Sequence, residues 1–243
     1  MKARMRRGFQ QLPNVITFGN LLCGVAAIML AMERHFLLAP AAIFLAGMLD
    51  VMDGILARRL RGSDAFGEAL DSLADIISFG VAPAMLVYEG FLHPWPVVGW
   101  FVAGGYVVCG AWRLARFAAA ERSVFFQGLP ITMAGMTVAA FLFYPHFWTP
   151  RAVGLVTLGV AVLMVSHLRF PKIPMLVRPF PRPTRPVLAL ALAGTAVAIS
   201  PAALLTALGL TYFVVAALEN LGFWEAVAES PVRAAVARLR GRF

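Results

Sequence analysis

The sequence contains little cysteine, little histidine and little negative charge. Its 243 residues include 2 cysteines and 4 histidines, and neither type has the spacing of a metal site or of a disulfide framework. We therefore interpret Cys23 and Cys109, which lie in apolar runs, as packing residues. We interpret His35, His93 and His146 as surface or interface residues.

The sequence also lacks a recognisable cleavable signal peptide, a fixed-period repeat and a low-complexity tract. Four basic residues stand among the first seven, but no short apolar run with a small-residue cleavage site follows them. We therefore expect residues 1–12 to form a retained interfacial helix on the cytoplasmic side.

Acidic residues number only 12 against 21 basic ones, and the formal net charge of +9 raises the question of a nucleic-acid partner. However, 19 of the 21 basic residues lie in five clusters at the ends of apolar runs. This is the distribution of the positive-inside rule and of contacts with anionic lipid heads. We expect no nucleic-acid partner, and we expect an inner-membrane protein whose termini and Arg58–Phe66 loop are cytoplasmic.

Hydrophobic residues make up 60% of the chain, against about 45–50% in soluble proteins. Eight apolar runs are long enough to span a bilayer: 13–32, 36–58, 66–90, 95–115, 129–147, 151–167, 185–200 and 203–221. The sequence therefore predicts an all-α, polytopic membrane bundle of about eight transmembrane helices within a single membrane domain, residues 1–243.

Within that domain we expect a six-helix core over residues 13–170. A proline-rich segment follows it and predicts a linker without regular helix. Two additional transmembrane helices over 185–221 come next. The last segment, 228–243, alternates apolar and arginine residues in the way typical of a cytoplasmic amphipathic helix.

Four carboxylates interrupt the second and third apolar runs: Asp50, Asp53, Asp71 and Asp75. An ionised carboxylate inside a membrane costs several kcal/mol unless it is paired or bound to a cation. At about 100° per residue, each pair shares one face of its helix. Asp50 and Asp75 lie nine residues from the two ends of the polar loop, or about 13 Å deep. The two acidic faces are therefore predicted to converge.

Converging carboxylates repel one another unless cations neutralise them. Oxygen ligands suit magnesium, manganese or calcium better than zinc, and a site with two cations is suited to phosphoryl transfer. A structural ion-pair network, a cation pore or a divalent-cation transporter are the alternatives. Transporters often have two similar halves, and the sequence has no second acidic region like residues 50–75 that could form the other half.

The acidic stretch resembles the signature of the CDP-alcohol phosphotransferase family, Asp-x2-Asp-Gly-x2-Ala-Arg-x8-Gly-x3-Asp-x3-Asp, at every fixed position from Asp50 to Asp75. Other segments are similar to the phosphatidylserine synthase branch: Leu12-Pro13-Asn14 with Thr17 and Asn20, Ser78 to Ala84, Arg113 to Phe117, Gln127 to Pro130, and Val165 to Pro171. The chain departs from that pattern at Ile131-Thr132, where Ser-Pro-like residues are expected, and at His167, where asparagine is expected.

The resemblance implies transfer of a phosphatidyl group from CDP-diacylglycerol to L-serine, with release of CMP. It implies two divalent cations, Mg²⁺ or Mn²⁺, held by Asp50, Asp53 and Asp71, with Asp75 completing the cluster and acting as general base. A sister enzyme using glycerol 3-phosphate, an inositol compound or an archaeal-type lipid donor is the alternative. We also expect a homodimer.

Six residues are implied in binding the nucleotide donor: Gly54, Ala57, Arg58, Gly67, Asn14 and Thr17. Gly54 and Ala57 would leave a bare helix face for cytidine, or would allow close helix packing. Arg58 is interpreted as a phosphate contact, with a membrane anchor as the alternative. Asn14 and Thr17 have the alternative role of helix caps.

Three residues are candidates for binding the acceptor. Ser78 lies one turn beyond Asp75 and either lines the alcohol pocket or bonds to its own helix backbone. Arg113 and Arg116 share a helix face and either bind serine's carboxylate, bind a donor phosphate, or anchor the helix. Glu68 is expected to be solvated.

Overall fold

The structure is a computed structural model that describes residues 12–60, 65–119 and 126–170, and these residues are almost entirely helical. Within them we number six helices: α1 Leu12–Met32, α2 Leu38–Leu60, α3 Ala65–Leu92, α4 Pro96–Ala119, α5 Ile131–Ala140 and α6 Pro150–Val165. Two short 3₁₀ turns, Phe141–Phe143 and Pro145–Phe147, connect α5 to α6.

Four of these helices are long and apolar enough to cross a membrane: α1, α2 as far as Ala57, α3 and α4. The α5 segment, extended by a 3₁₀ turn to Phe143, and α6 are shorter apolar helices. The prediction of an all-α, polytopic membrane protein is confirmed, and each of the first six predicted spans overlaps a helix, although α5 covers only Ile131–Ala140 of the predicted span 129–147. The predicted spans 185–200 and 203–221 lie outside the described residues, as do the N-terminal helix, the proline-rich linker and the C-terminal tail.

Helix α3 is the central helix of the bundle. The share of its apolar segment that is buried is 61%, against 28% for α1 and for α4. Its α-helical turns are interrupted by two π-helical segments, Ile76–Val81 directly after Asp75 and Tyr88–Leu92. A π segment changes the direction in which later side chains point and is frequent at functional sites. Here the buried Tyr106 hydroxyl donates to the Phe79 carbonyl at 3.0 Å.

Glycines let two neighbouring helices approach the first π segment closely. A Cβ built on Gly24 of α1 would lie 2.8 Å from Ser78 Cα, and one built on Gly135 of α5 would lie 2.8 Å from the Cα and carbonyl oxygen of Phe79. Small residues allow such backbone approaches where lipid provides no hydrophobic drive for helix association. The segment after Asp75 is therefore held from both sides by backbone-level packing.

The chain divides into two compact units. Residues 1–122 and 129–166 form the first, which contains the six helices. Residues 123–128 and 167–243 form the second, whose described part is a short antiparallel pairing of Phe126–Gln127 with Arg169–Phe170. Gly128 has a φ of 79° there, a conformation that favours glycine. The predicted domain boundaries stay a prediction.

We predict that Gly135→Ala destabilises the protein, because its methyl group would meet the Phe79 backbone at 2.8 Å, and overpacking of this kind costs about 1–3 kcal/mol. The matched control is Gly104→Ala on α4, where no described atom lies within 4 Å of the added Cβ. Thermal unfolding of the full chain in detergent micelles should show a lower midpoint for Gly135→Ala and an unchanged or higher one for Gly104→Ala. Equal midpoints for the two variants would contradict the packing.

Candidate active site

Three of the predicted carboxylates converge between α2 and α3. Asp50 and Asp53 lie one turn apart on α2, and Asp71 lies on α3. Each offers an oxygen atom that is within 4.8 Å of those of the other two. The structure therefore brings the two acidic faces together, as the helical spacing predicted.

Asp75 approaches the same cluster from one turn further along α3. Its side chain is buried, and the charges of the other carboxylates act on it, those of Asp50 and Asp71 most strongly. Among the residues that the structure describes, its Oδ1 atom has no hydrogen-bond partner. A buried oxygen without a partner is costly and calls for a ligand or a proton. Asp75 is therefore the carboxylate of the cluster best placed to receive one.

Hydroxyl groups from two other helices hold the carboxylates of α2. Thr17 Oγ1 on α1 donates to Asp53 Oδ2 at 2.8 Å and lies 3.1 Å from the Pro13 carbonyl oxygen. Thr132 Oγ1 on α5 donates to Asp50 Oδ2 at 3.3 Å. Thr17 is the sixth residue of α1, whereas a cap precedes the first helical residue, so the alternative role of Thr17 as a cap is wrong.

Thr132 was missed by the sequence reasoning as a site residue. The available signal was a hydroxyl-bearing side chain in the first turn of a helix, directly after Gly128-Leu129-Pro130. That signal does not identify a partner 82 residues away. Asn14, in contrast, was predicted near the nucleotide and lies half-buried in the first turn of α1, as the third residue of the helix.

The two arginines of α4 have different surroundings. Arg113 is buried, its charge acts on Asp50 and Asp75, and its guanidinium carbon lies 5.8 Å from the centroid of the Phe117 ring. Arg116 instead donates to the carbonyl groups that end α6, at 2.9 Å to Val165 and 3.2 Å to Ser166. Cations are favourable at a helix C-terminus, so Arg116 has a structural contact there. Binding of the acceptor by either arginine stays a prediction.

Ser78 is fully buried at the contact between α3 and α1. Its hydroxyl donates to the Asn20 carbonyl at 3.0 Å, so the alternative of a bond to its own helix backbone is wrong. The Asn20 side chain is also fully buried, and within the described part of the chain both of its amide atoms are without a hydrogen-bond partner. A role of Ser78 in binding the acceptor stays a prediction.

The remaining predicted residues lie along the polar ends of α2 and α3. Gly54, Ala57 and Gly67 are half-buried. Arg58 belongs to α2, and its side chain lies outside the described residues. Glu68 is exposed, as predicted, although its charge acts on Asp71. The predicted surface positions of three histidines are confirmed, because the side chains of His35, His93 and His146 are exposed.

The cluster has the donor chemistry of a divalent-cation site. Its oxygens are hard ligands of the kind that Mg²⁺ and Mn²⁺ take, and Asp50, Asp53 and Asp71 already lie close enough to share an ion. Among the described side chains whose charges act on Asp50 and Asp75, the positive charge comes from Arg113, whereas the cluster itself contains four carboxylates. The excess negative charge fits bound cations.

Comparison with known proteins agrees with this chemistry. The sequence model of the CDP-alcohol phosphatidyltransferase family matches residues 10–168. The chain is 37% identical over 161 residues to a CDP-diacylglycerol–serine O-phosphatidyltransferase of Bacillus subtilis, which covers 66% of this chain and 89% of the relative. It is 36% identical over 187 residues to a CDP-diacylglycerol–serine O-phosphatidyltransferase of Mycobacterium tuberculosis, and the match covers 70% of this chain and 65% of that relative. It is 33% identical over 168 residues to archaetidylserine synthase of Methanothermobacter thermautotrophicus, and the match covers 68% of this chain and 71% of that relative.

We predict that the purified protein binds Mn²⁺ at this cluster, as measured by loss of the free-ion electron paramagnetic resonance signal during titration. Asp71→Asn should weaken binding at least about tenfold, because even loss of an outer-shell partner costs about 10–100-fold. Glu89→Gln is the control, since Glu89 lies on α3 but outside the carboxylate cluster. Tight Mn²⁺ binding by Asp71→Asn, or equal losses in both variants, would contradict the assignment.

Proposed function

The chain belongs to the CDP-alcohol phosphatidyltransferase family, and on this premise we propose that it transfers a phosphatidyl group from CDP-diacylglycerol to the hydroxyl group of L-serine. The products are phosphatidylserine and CMP. The observation that carries the proposal is the convergence of Asp50, Asp53 and Asp71 inside an apolar helical bundle. The serine acceptor is supported by the names of the Bacillus and Mycobacterium relatives.

In this proposal, Asp50, Asp53 and Asp71 hold two divalent cations, Mg²⁺ or Mn²⁺, and Asp75 completes the cluster. When bound, such cations neutralise pyrophosphate oxygens and stabilise the charge that develops on the departing CMP. The support is the mutual proximity of the three carboxylates, within 4.8 Å. Thr17 and Thr132 keep Asp53 and Asp50 in place through their hydroxyl groups.

Asp75 is proposed to be the general base. A hydroxyl group is a weak nucleophile until a base takes its proton. The serine oxygen forms a bond to the phosphorus of the phosphatidyl group, the bond from that phosphorus to the CMP oxygen breaks, and the hydroxyl proton passes to Asp75. Burial of Asp75 and the unpartnered Oδ1, within the described residues, support this role.

The substrates are proposed to lie on the polar side of the carboxylates. The donor nucleotide would contact six residues near the ends of α1, α2 and α3: Asn14, Thr17, Gly54, Ala57, Arg58 and Gly67. Serine brings a carboxylate, and burying it beside an acidic cluster requires a nearby cation. Of the three acceptor candidates, Arg113 has the best support, because Ser78 and Arg116 donate to backbone carbonyl groups.

We further propose an inner-membrane location with both termini and the site on the cytoplasmic side, as the clusters of basic residues indicate. A homodimer and the division into a six-helix core, two additional helices and an amphipathic tail belong to the same proposal. A second candidate function is the same transfer from an archaeal-type lipid donor, which the similarity to archaetidylserine synthase favours.

The proposed function is tested by incubating the purified full chain with CDP-diacylglycerol, Mn²⁺ and a panel of alcohols while CMP release is measured. We expect release with L-serine and little with glycerol 3-phosphate or inositol. EDTA should abolish CMP release, because without cations the carboxylates would repel the negatively charged pyrophosphate of the donor. Release with another alcohol in preference to serine would contradict the acceptor, and release in EDTA would contradict the cations.

Base and ligand roles can be separated in two matched variants. Asp75→Asn should still bind CDP-diacylglycerol and Mn²⁺ but lose at least about 100-fold in turnover, the lower range for loss of general base catalysis. Asp50→Asn should lose Mn²⁺ binding as well as turnover. Calorimetry measures the binding. If both variants lose Mn²⁺ and donor binding equally, Asp75 is chiefly a ligand.

Arg113→Lys should raise the apparent KM for serine strongly and change that for CDP-diacylglycerol little. Lysine keeps the positive charge but loses the planar fork that binds a carboxylate through two hydrogen bonds. Arg116→Lys is the comparison, because Arg116 donates to the end of α6. A rise in the donor KM instead would assign Arg113 to the phosphate site, and no change in either would contradict both assignments.

A further inference from the structure

We propose that Thr132 is a positioning residue for the cation site, one that restricts the rotation of the Asp50 carboxylate through a hydrogen bond to one of its oxygens. The inference rests on the proposed function in that it assumes cation binding at the cluster. It concerns a residue at which the chain departs from the family pattern, since Ile131-Thr132 stands where Ser-Pro-like residues are expected. Proline has no side-chain donor, so the pattern has no hydroxyl at the position of Thr132.

The contact joins two helices that are distant in sequence. Thr132 Oγ1 lies 3.3 Å from Asp50 Oδ2, which is within hydrogen-bonding distance though longer than most O–H···O bonds. Both side chains are half-buried.

Helix α5 is a rigid support for this hydroxyl. Ile131, next to Thr132, is fully buried, and a Cβ on Gly110 of α4 would lie 2.9 Å from its Cδ1 atom. One turn later, Gly135 packs against the backbone of Phe79. A supporting group on a well-packed helix fixes a ligand more accurately than one on a loop. The position of Thr132 is therefore set by packing on both sides of it.

The place of Thr132 within α5 adds an electrostatic contribution. The helix begins at Ile131, with Pro130 as the preceding cap residue. The first backbone N–H groups of a helix have no partner within it and form its positive end. Because Thr132 is the second helical residue, Asp50 lies near that positive end. The contact thus holds one oxygen of Asp50 beside the first turn of α5.

Thr17 makes the same kind of contact with the other carboxylate of α2, at 2.8 Å to Asp53 Oδ2. A free carboxylate rotates broadly about its last side-chain bond. With one oxygen of Asp53 held from α1 and one oxygen of Asp50 held from α5, the rotation of both carboxylates is restricted. Both aspartates would therefore bind a cation with less rotational freedom to lose.

The test uses the purified full chain and Mn²⁺ as the probe. Thr132→Val keeps the shape and removes the donor, and it should weaken Mn²⁺ binding about 10–100-fold, the usual effect of losing an outer-shell partner of a ligand. Thr132→Ser restores the hydroxyl. Its Mn²⁺ affinity should stay within about threefold of that of the unsubstituted protein, a much smaller loss than the one expected for Thr132→Val. Electron paramagnetic resonance titration measures the affinity without turnover.

Thr137→Val is the matched control, because Thr137 lies on the same helix but donates to its own backbone, the Met133 carbonyl, at 2.8 Å. It should leave Mn²⁺ affinity unchanged. In turnover with serine, Thr132→Val should raise the Mn²⁺ concentration needed for half-maximal CMP release, with kcat largely recovered at saturating Mn²⁺. If Thr132→Val does not fold, Thr132→Ala is read by the same criteria.

Three results would overturn the inference: unchanged affinity in Thr132→Val, equal losses in Thr132→Val and Thr132→Ser, or an equal loss in Thr137→Val. They leave the proposed function intact if the unsubstituted protein binds Mn²⁺ and releases CMP with serine. Failure of the unsubstituted protein to bind Mn²⁺ would overturn the inference together with the cation site.

Discussion

Repulsion among four carboxylates is the constraint on which the rest of the structure depends. Asp50, Asp53, Asp71 and Asp75 act on one another within the apolar bundle, and Arg113 supplies positive charge beside them. Like charges in such surroundings are stable only when they are protonated, paired or bound to cations. The arrangement is therefore suited to a reaction in which cations and a negatively charged pyrophosphate enter together.

The packing of the helices holds the mutually repelling carboxylates in place. Gly24 and Gly135 let α1 and α5 approach the backbone of α3 directly after Asp75. The Tyr106 hydroxyl bonds to the Phe79 carbonyl in the same π segment. Close packing and buried hydrogen bonds replace the hydrophobic drive that is missing between helices in lipid. The residues that fix α3 thus also fix the direction of its aspartates.

Much of the fold and the centre of the site followed from periodicity in the sequence. Apolar run length predicted the first six helices, and the spacing of Asp50 with Asp53 and of Asp71 with Asp75 predicted two converging faces. Spacing defines a face of one helix but not the rotation of that helix against its neighbours. For that reason the partners of Ser78 and Thr132, and the different surroundings of Arg113 and Arg116, could not be predicted. The π segments could not be predicted either, because an apolar run does not distinguish α-helical from π-helical turns.

The central claim, that the carboxylates of α2 and α3 bind the cations of a phosphatidyl transfer site, is tested most directly by diffraction. Crystals of the full chain grown with Mn²⁺ and CDP-diacylglycerol should be measured at the manganese absorption edge. We expect two anomalous peaks among Asp50, Asp53 and Asp71, with the donor pyrophosphate beside them. Bound donor with no manganese peak among these carboxylates would contradict the account.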